Sequence, residues 1–105
     1  MDLYRLESLG RPGKKYFEFV RTSDLSAGVY RIPAGGSDPQ TPHNEDELYY
    51  IVAGRAQFTA GRQTVSVGAG DVMFVAAKEA HRFHNIAEDL EVLVVFAPAE
   101  GLRNS

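Results

Sequence analysis

The stretch from Thr41 to Gly54, Thr-Pro-His-Asn-Glu-Asp-Glu-Leu-Tyr-Tyr-Ile-Val-Ala-Gly, most limits what this chain can become. Leu48 to Val52 is apolar throughout and runs into Ala53-Gly54, the pattern of a strand buried on both faces. Glu47 stands at the mouth of that strand, where a carboxylate is costly without a partner. His43 lies four residues earlier and His81 comes later in the chain. Two imidazoles and one carboxylate form the ligand set of a 2-His-1-carboxylate metal site.

Spacing permits such a site on one condition. In a fully extended strand the Cα atoms of His43 and Glu47 would lie roughly 13 Å apart, at about 3.3 Å per residue. A shared ion needs its ligand atoms within about 2.0–2.2 Å. The segment from His43 to Asp46 must therefore bend or bulge, and Asn44 and Asp46 tolerate that. Taken singly, each residue also has an ordinary reading: His43 as a loop histidine, Glu47 as part of a solvated acidic run, His81 as a core histidine. Glu45 and Asp46 are expected to face solvent and to raise the local attraction for cations.

The rest of the chain reads as short strands. Leu3, Leu6 and Leu9 form either one helical turn or an extended arm, broken by Gly10, Pro12 and Gly13. Tyr16 to Arg21 alternates, with Phe17 and Phe19 on one face and Tyr16 and Glu18 on the other. Ala27 to Ile32 is the next strand, and Pro33 to Pro42 is a loop. Ala53-Gly54-Arg55 reads as a turn. Gln57–Ala60 and Gln63–Val67 flank a compact hairpin signal at Ala60-Gly61-Arg62. Gly68 to Asp71 is a tight turn before apolar Val72 to Val75. His81 to Ile86 is a strand with His81, Phe83 and Asn85 on one face and His84 on the other. Glu88-Asp89 reads as a turn, Leu90 to Phe96 as a last buried strand, and Glu100 to Ser105 as a frayed tail. Seven or eight short strands without a helical period predict an all-β sandwich or barrel.

Composition narrows the function classes. The 105 residues suit one domain: a lead-in arm at 1–15, a barrel at 16–97 and a tail at 98–105. Fourteen acids against 11 bases give a net charge of −3, which argues against a nucleic-acid surface. The one basic cluster, Arg11 to Lys15, reads as a solvated loop. No apolar run approaches the roughly 18 residues of a membrane helix, and the charged N-terminus does not resemble a signal peptide. Cysteine is absent, which excludes thiolate chemistry and fits a cytoplasmic location.

The stretch also resembles the first motif of the cupin superfamily, in which glycine, five residues, His-x-His, three or four residues, glutamate, six residues and glycine follow one another. His43, Glu47 and Gly54 fit, with Gly35 or Gly36 near the leading glycine. The second motif is glycine, five residues, Pro-x-Gly, two residues, histidine, three residues and asparagine; Gly70, His81 and Asn85 fall in register with it. Thr41 stands where the first histidine belongs, and Ala76 and Lys78 replace the proline and glycine, a change confined to the turn.

The resemblance implies a double-stranded β-helix, or jelly-roll barrel, with a divalent metal held by His43, Glu47 and His81. Iron, manganese, nickel and zinc all suit that set. Thr41 or Gln40 would supply a weak ligand or hold a water. Tyr49, Ile51 and Phe83 alternate with the ligands and are expected to point inward, Tyr49 either packing the core or hydrogen-bonding a substrate. Leu48, Tyr50 and Val52 then face outward, and a second copy would cover them as a homodimer. Two functions compete: a metal-dependent enzyme acting on a small molecule, dioxygenase- or isomerase-like, and a non-enzymatic small-ligand-binding module. A purely structural or interaction role has only the two-faced sheet in its favour.

Overall fold

A computed structural model describes residues 1–39 and 42–101. Its strands are β1 (Tyr16–Arg21), β2 (Ser26–Ile32), β3 (Asp46–Ala60), β4 (Gln63–Gly68), β5 (Val72–Val75) and β6 (His81–Ala97). All pairings are antiparallel. The lead-in takes the helical alternative as a short 3-10 turn at Leu6–Ser8. Arg31 ties it down, donating to the carbonyls of Leu6 and Leu9 while pairing with Glu91.

The all-β expectation holds, but two expected turns are not turns. Ala53-Gly54-Arg55 lies inside β3 and Glu88-Asp89 inside β6. The two long strands pair along both halves, and their register slips between Ile51 and Gln57. Such bulges bend a pair without ending it. Gly54 makes the bend possible, with φ +94° and a backbone so close to β6 that a Cβ would lie 2.2 Å from the Asp89 carbonyl oxygen. The glycine thus marks a crossing of two strands.

The bend creates two facing sheet halves. The first half of β3 and the second half of β6 lie with β2, β1 and β5; the remaining halves lie with β4. Between them pack Ile32, Tyr49, Ile51, Phe58, Phe83, Leu90, Val92 and Val94. Tyr49, Ile51 and Phe83 are buried as expected.

Leu48 to Val52 is not buried on both faces. Leu48 and Tyr50 are exposed, opposite Phe74 and Val72 of β5. Asn85 does not share the inward face of His81 and Phe83: its φ of +48° shifts the alternation, Ile86 takes the buried position, and the Asn85 amide donates to Gln57. Both faces of β1 are partly buried. A bulge between Glu18 and Val20 breaks the alternation of β1, and Tyr16 packs against the core. Among the described residues no helix is long and apolar enough to cross a membrane.

Candidate metal centre

Three parts of the chain bring the candidate ligands to one end of the core. The backbone bends at Asn44 and Glu45, as the ligand spacing requires, and leads into β3 with Glu47 as its second residue. His81 opens β6, on the opposite sheet half, where it pairs with Ala60. One potential ligand atom each from His43, Glu47 and His81 lies within 4.8 Å of the others. The three side chains singled out from sequence therefore converge.

The local chemistry fits a cation. Glu47 is 2% exposed and His81 6%. Glu47 Oε1 and His81 Nε2 approach to 2.9 Å, yet neither atom has a hydrogen-bond partner among the described residues. Two buried lone-pair atoms aimed at the same space are what a shared ion would satisfy. His81 Nδ1 lies 2.8 Å from the Glu79 carbonyl oxygen. A carbonyl can only accept, so Nδ1 carries the proton and Nε2 keeps its lone pair facing Glu47.

Burial is the largest influence on the His81 pKa and lowers it. The Glu47 carboxylate beside the ring, the bond to the Glu79 carbonyl and the charge of Asp38 together outweigh burial and leave the pKa raised. The surrounding rings belong to Tyr49, Phe58, His43 and, against His43, Phe96.

Above the triad is a cavity of about 180 Å³, walled by Tyr16, Tyr30, Tyr49, Val94 and Phe96, with His43, Glu47 and Glu100 at its polar edge. Of the five residues expected to line a pocket from sequence, Gln40, Thr41, Tyr49, Ile51 and Phe83, Tyr49 does; Ile51 and Phe83 are in the core but not on the cavity wall. Gln40 and Thr41 lie outside the described residues. Val94 and Phe96 were findable, since Leu90, Val92, Val94 and Phe96 alternate inward. Glu100 carried no periodic signal. Its carboxylate lies 3.6 Å from His43 Nδ1. Burial, opposed by His43 and reinforced by Glu45, Glu47 and Glu18, raises its pKa.

Several acids differ from expectation. Glu45 is buried and accepts from the Gly101 N–H, while Asp46 accepts from the Ala77 N–H. Neither is simply solvated, because the segment after β6 folds back over this edge. Ala99 is fully buried, so that segment is packed rather than frayed as far as Gly101. Residues 102–105 lie outside the described residues. Asp38, read as part of a plain loop, is buried and accepts from the Tyr30 hydroxyl and the Phe83 N–H. His84 faces away from His81 and bonds Thr59.

A bent pair of long antiparallel strands with such a cluster at one mouth defines a class of small double-stranded β-helix barrels. The model of the cupin domain matches residues 28–96, and the chain belongs to that family. It is 49% identical over 85 residues to an uncharacterized protein of Streptomyces coelicolor, covering 81% of each chain. It is 37% identical over 67 residues to an oxalate-binding protein of Thermotoga maritima, covering 62% of this chain and 55% of that one. The cupin domain of Schizosaccharomyces pombe Cnp3 shares the fold at a TM-score of 0.80 and 19% identity, covering 90% of this chain and 72% of that one.

Proposed function

We propose that the chain binds a divalent metal ion between His43, Glu47 and His81 and is a metal-dependent enzyme acting on a small molecule. The observation that carries this is the buried pair of lone-pair atoms, Glu47 Oε1 and His81 Nε2, without hydrogen-bond partners among the described residues and within ligand range of His43. Iron, manganese, nickel or zinc suits the set. When bound, such an ion supplies Lewis-acid or, for iron and manganese, redox chemistry next to the cavity. The chain's own contribution is positional: the Glu79 carbonyl holds the His81 ring, and Tyr16, Tyr30 and Tyr49 wall the adjoining cavity.

A second reading is a non-enzymatic small-ligand-binding module. It is favoured by the threonine in place of the family's first histidine and by the name of the Thermotoga relative, an oxalate-binding protein. Elemental analysis of protein purified without chelators tests the metal; about one divalent ion per chain is expected. Incubating iron- or manganese-loaded protein in air with candidate small molecules separates the two functions. Conversion supports the enzyme, whereas a ligand that binds and is recovered unchanged supports the module.

The same reading includes a homodimer formed through the outer face of β3 and β5. Leu48, Tyr50, Val72 and Phe74 stand exposed together there, Val72 and Phe74 at 59% and 63%. A contiguous apolar patch of this kind marks an interaction surface, and a second copy would present the same patch in return.

A further inference from the structure

Each of the two candidate imidazole ligands turns its Nδ1 toward an oxygen. His81 Nδ1 lies 2.8 Å from the Glu79 carbonyl oxygen, and His43 Nδ1 lies 3.6 Å from Glu100 Oε2. An imidazole that ligates a metal through one nitrogen commonly donates its other N–H to a carbonyl or carboxylate, which fixes the tautomer and the direction of the ring. For His81 that bond is already made. For His43 the separation is an ion-pair distance, several tenths of an ångström longer than a hydrogen bond.

Glu100 is carried to this place by its backbone. Its N–H donates to Ser26 Oγ at 3.0 Å, its carbonyl accepts from Arg21 Nη2 at 2.6 Å, and Ala99 before it is fully buried. The next N–H, of Gly101, donates to Glu45, which lies between His43 and Glu47 in sequence. None of these bonds uses the Glu100 side chain, so a small side-chain rotation is enough to close its carboxylate on His43. The opposite constraint on the His43 ring is Phe96, packed edge-on at 5.0 Å. Glu100 is not in the cluster of ligand atoms within 4.8 Å of one another. Its place is beside His43, one ring removed from the ion.

The charges favour the same role. Glu18, Glu45 and Glu47 act unfavourably on the Glu100 carboxylate, and His43 acts favourably. A divalent ion held by two neutral imidazoles and the Glu47 carboxylate keeps one positive charge. A second carboxylate across the His43 ring offsets that charge, and the ion in turn makes the ring N–H a stronger donor.

We propose, on the reading of His43, Glu47 and His81 as metal ligands, that Glu100 is the positioning carboxylate of the centre. When an ion binds, Glu100 accepts the Nδ1 proton of His43 and holds Nε2 toward the ion. Zinc affinity is to be measured by competition with a chromophoric chelator for the full chain and for Glu100→Ala, Glu100→Gln and Glu100→Asp. The metal-free Tm of each variant is the folding control, and NMR of isotope-labelled histidine ring nitrogens reads the tautomer.

Glu100→Ala should weaken zinc binding roughly tenfold to a hundredfold. Glu100→Asp, which keeps the charge but shortens the reach, should lose nearly as much. Glu100→Gln, which keeps an acceptor oxygen at full reach, should lose less. In the zinc-loaded chain His43 should carry its proton on Nδ1 and zinc on Nε2. Unchanged zinc affinity in Glu100→Ala overturns the proposal. So does native affinity in Glu100→Asp, which would reduce Glu100 to a nearby charge, or a His43 ring bound to zinc through Nδ1. Any of these results with zinc taken up by the unaltered chain fails this inference alone. No zinc uptake by the unaltered chain fails the metal reading, and this inference with it.

Discussion

The backbone N–H of Lys78 donates to the carbonyl of His43 at 2.5 Å, so the turn before one candidate ligand is tied to the segment carrying another. Lys78 makes this bond from a left-handed conformation, φ +70°, at the position where the cupin motif has glycine. The turn keeps its shape although its residue is unsuited to it.

Lys78→Gly should therefore stabilise the protein. Relief of a left-handed side chain is worth about 1–2 kcal/mol, and the added freedom of glycine in the unfolded chain takes back about 0.4–1. A net gain of roughly 0.5 kcal/mol corresponds to about 2–4 °C in Tm. Calorimetry checks it; a fall in Tm would show that Lys78 makes contacts outweighing its backbone strain.

Asp38 links both sheet halves through Tyr30 of β2 and Phe83 of β6. Asp38→Ala leaves two buried donors without these acceptors and should cost about 2–4 kcal/mol in denaturant unfolding. A loss below about 0.5 kcal/mol would mean that water or another group replaces the carboxylate.

The pH dependence of the chelated and metal-loaded forms should run in opposite directions. The His81 pKa is raised above its ordinary 6.5 in the folded chain, through Glu47 and Glu79 against the effect of burial. Without metal, its contribution to stability is full below 6.5 and is lost as pH rises through the elevated value. Metal binding needs the deprotonated ring, so the Tm gain on adding zinc should grow over the same range. Glu100, also raised, acts in the same sense from the carboxylate range upward, and Glu100→Gln removes it while leaving the His81 limb. Parallel pH profiles with and without zinc would contradict the assignment.

The outer sheet face gives a prediction about mass. Light scattering should report twice the 11.5 kDa chain, and Phe74→Glu, placed in the exposed patch, should yield the monomer without unfolding it. A concentration-independent monomer for the unaltered chain would rule the dimer out.

Which features could be read from sequence follows from their physical range. His43, Glu47 and His81 were legible because their residue types are rare in such surroundings and their spacing matches a family motif. The inward alternation of Tyr49, Ile51 and Phe83 was legible because strand period is local. Gly54 was misread because a glycine permitting a strand crossing has the same local signature as one in a turn. That Tyr16 meets the core was not legible, because a bulge lets both faces of β1 contribute to packing. Glu100 could not be found, since its place depends on Ser26, Arg21 and Glu45, all distant in sequence.

The most direct measurement is an anomalous difference map from a crystal grown with zinc or manganese. One peak should stand between His43, Glu47 and His81, with zinc about 2.0–2.2 Å from their ligand atoms, and it should vanish in His81→Ala. No peak there, or a peak unaffected by that substitution, would contradict the metal centre on which the account depends.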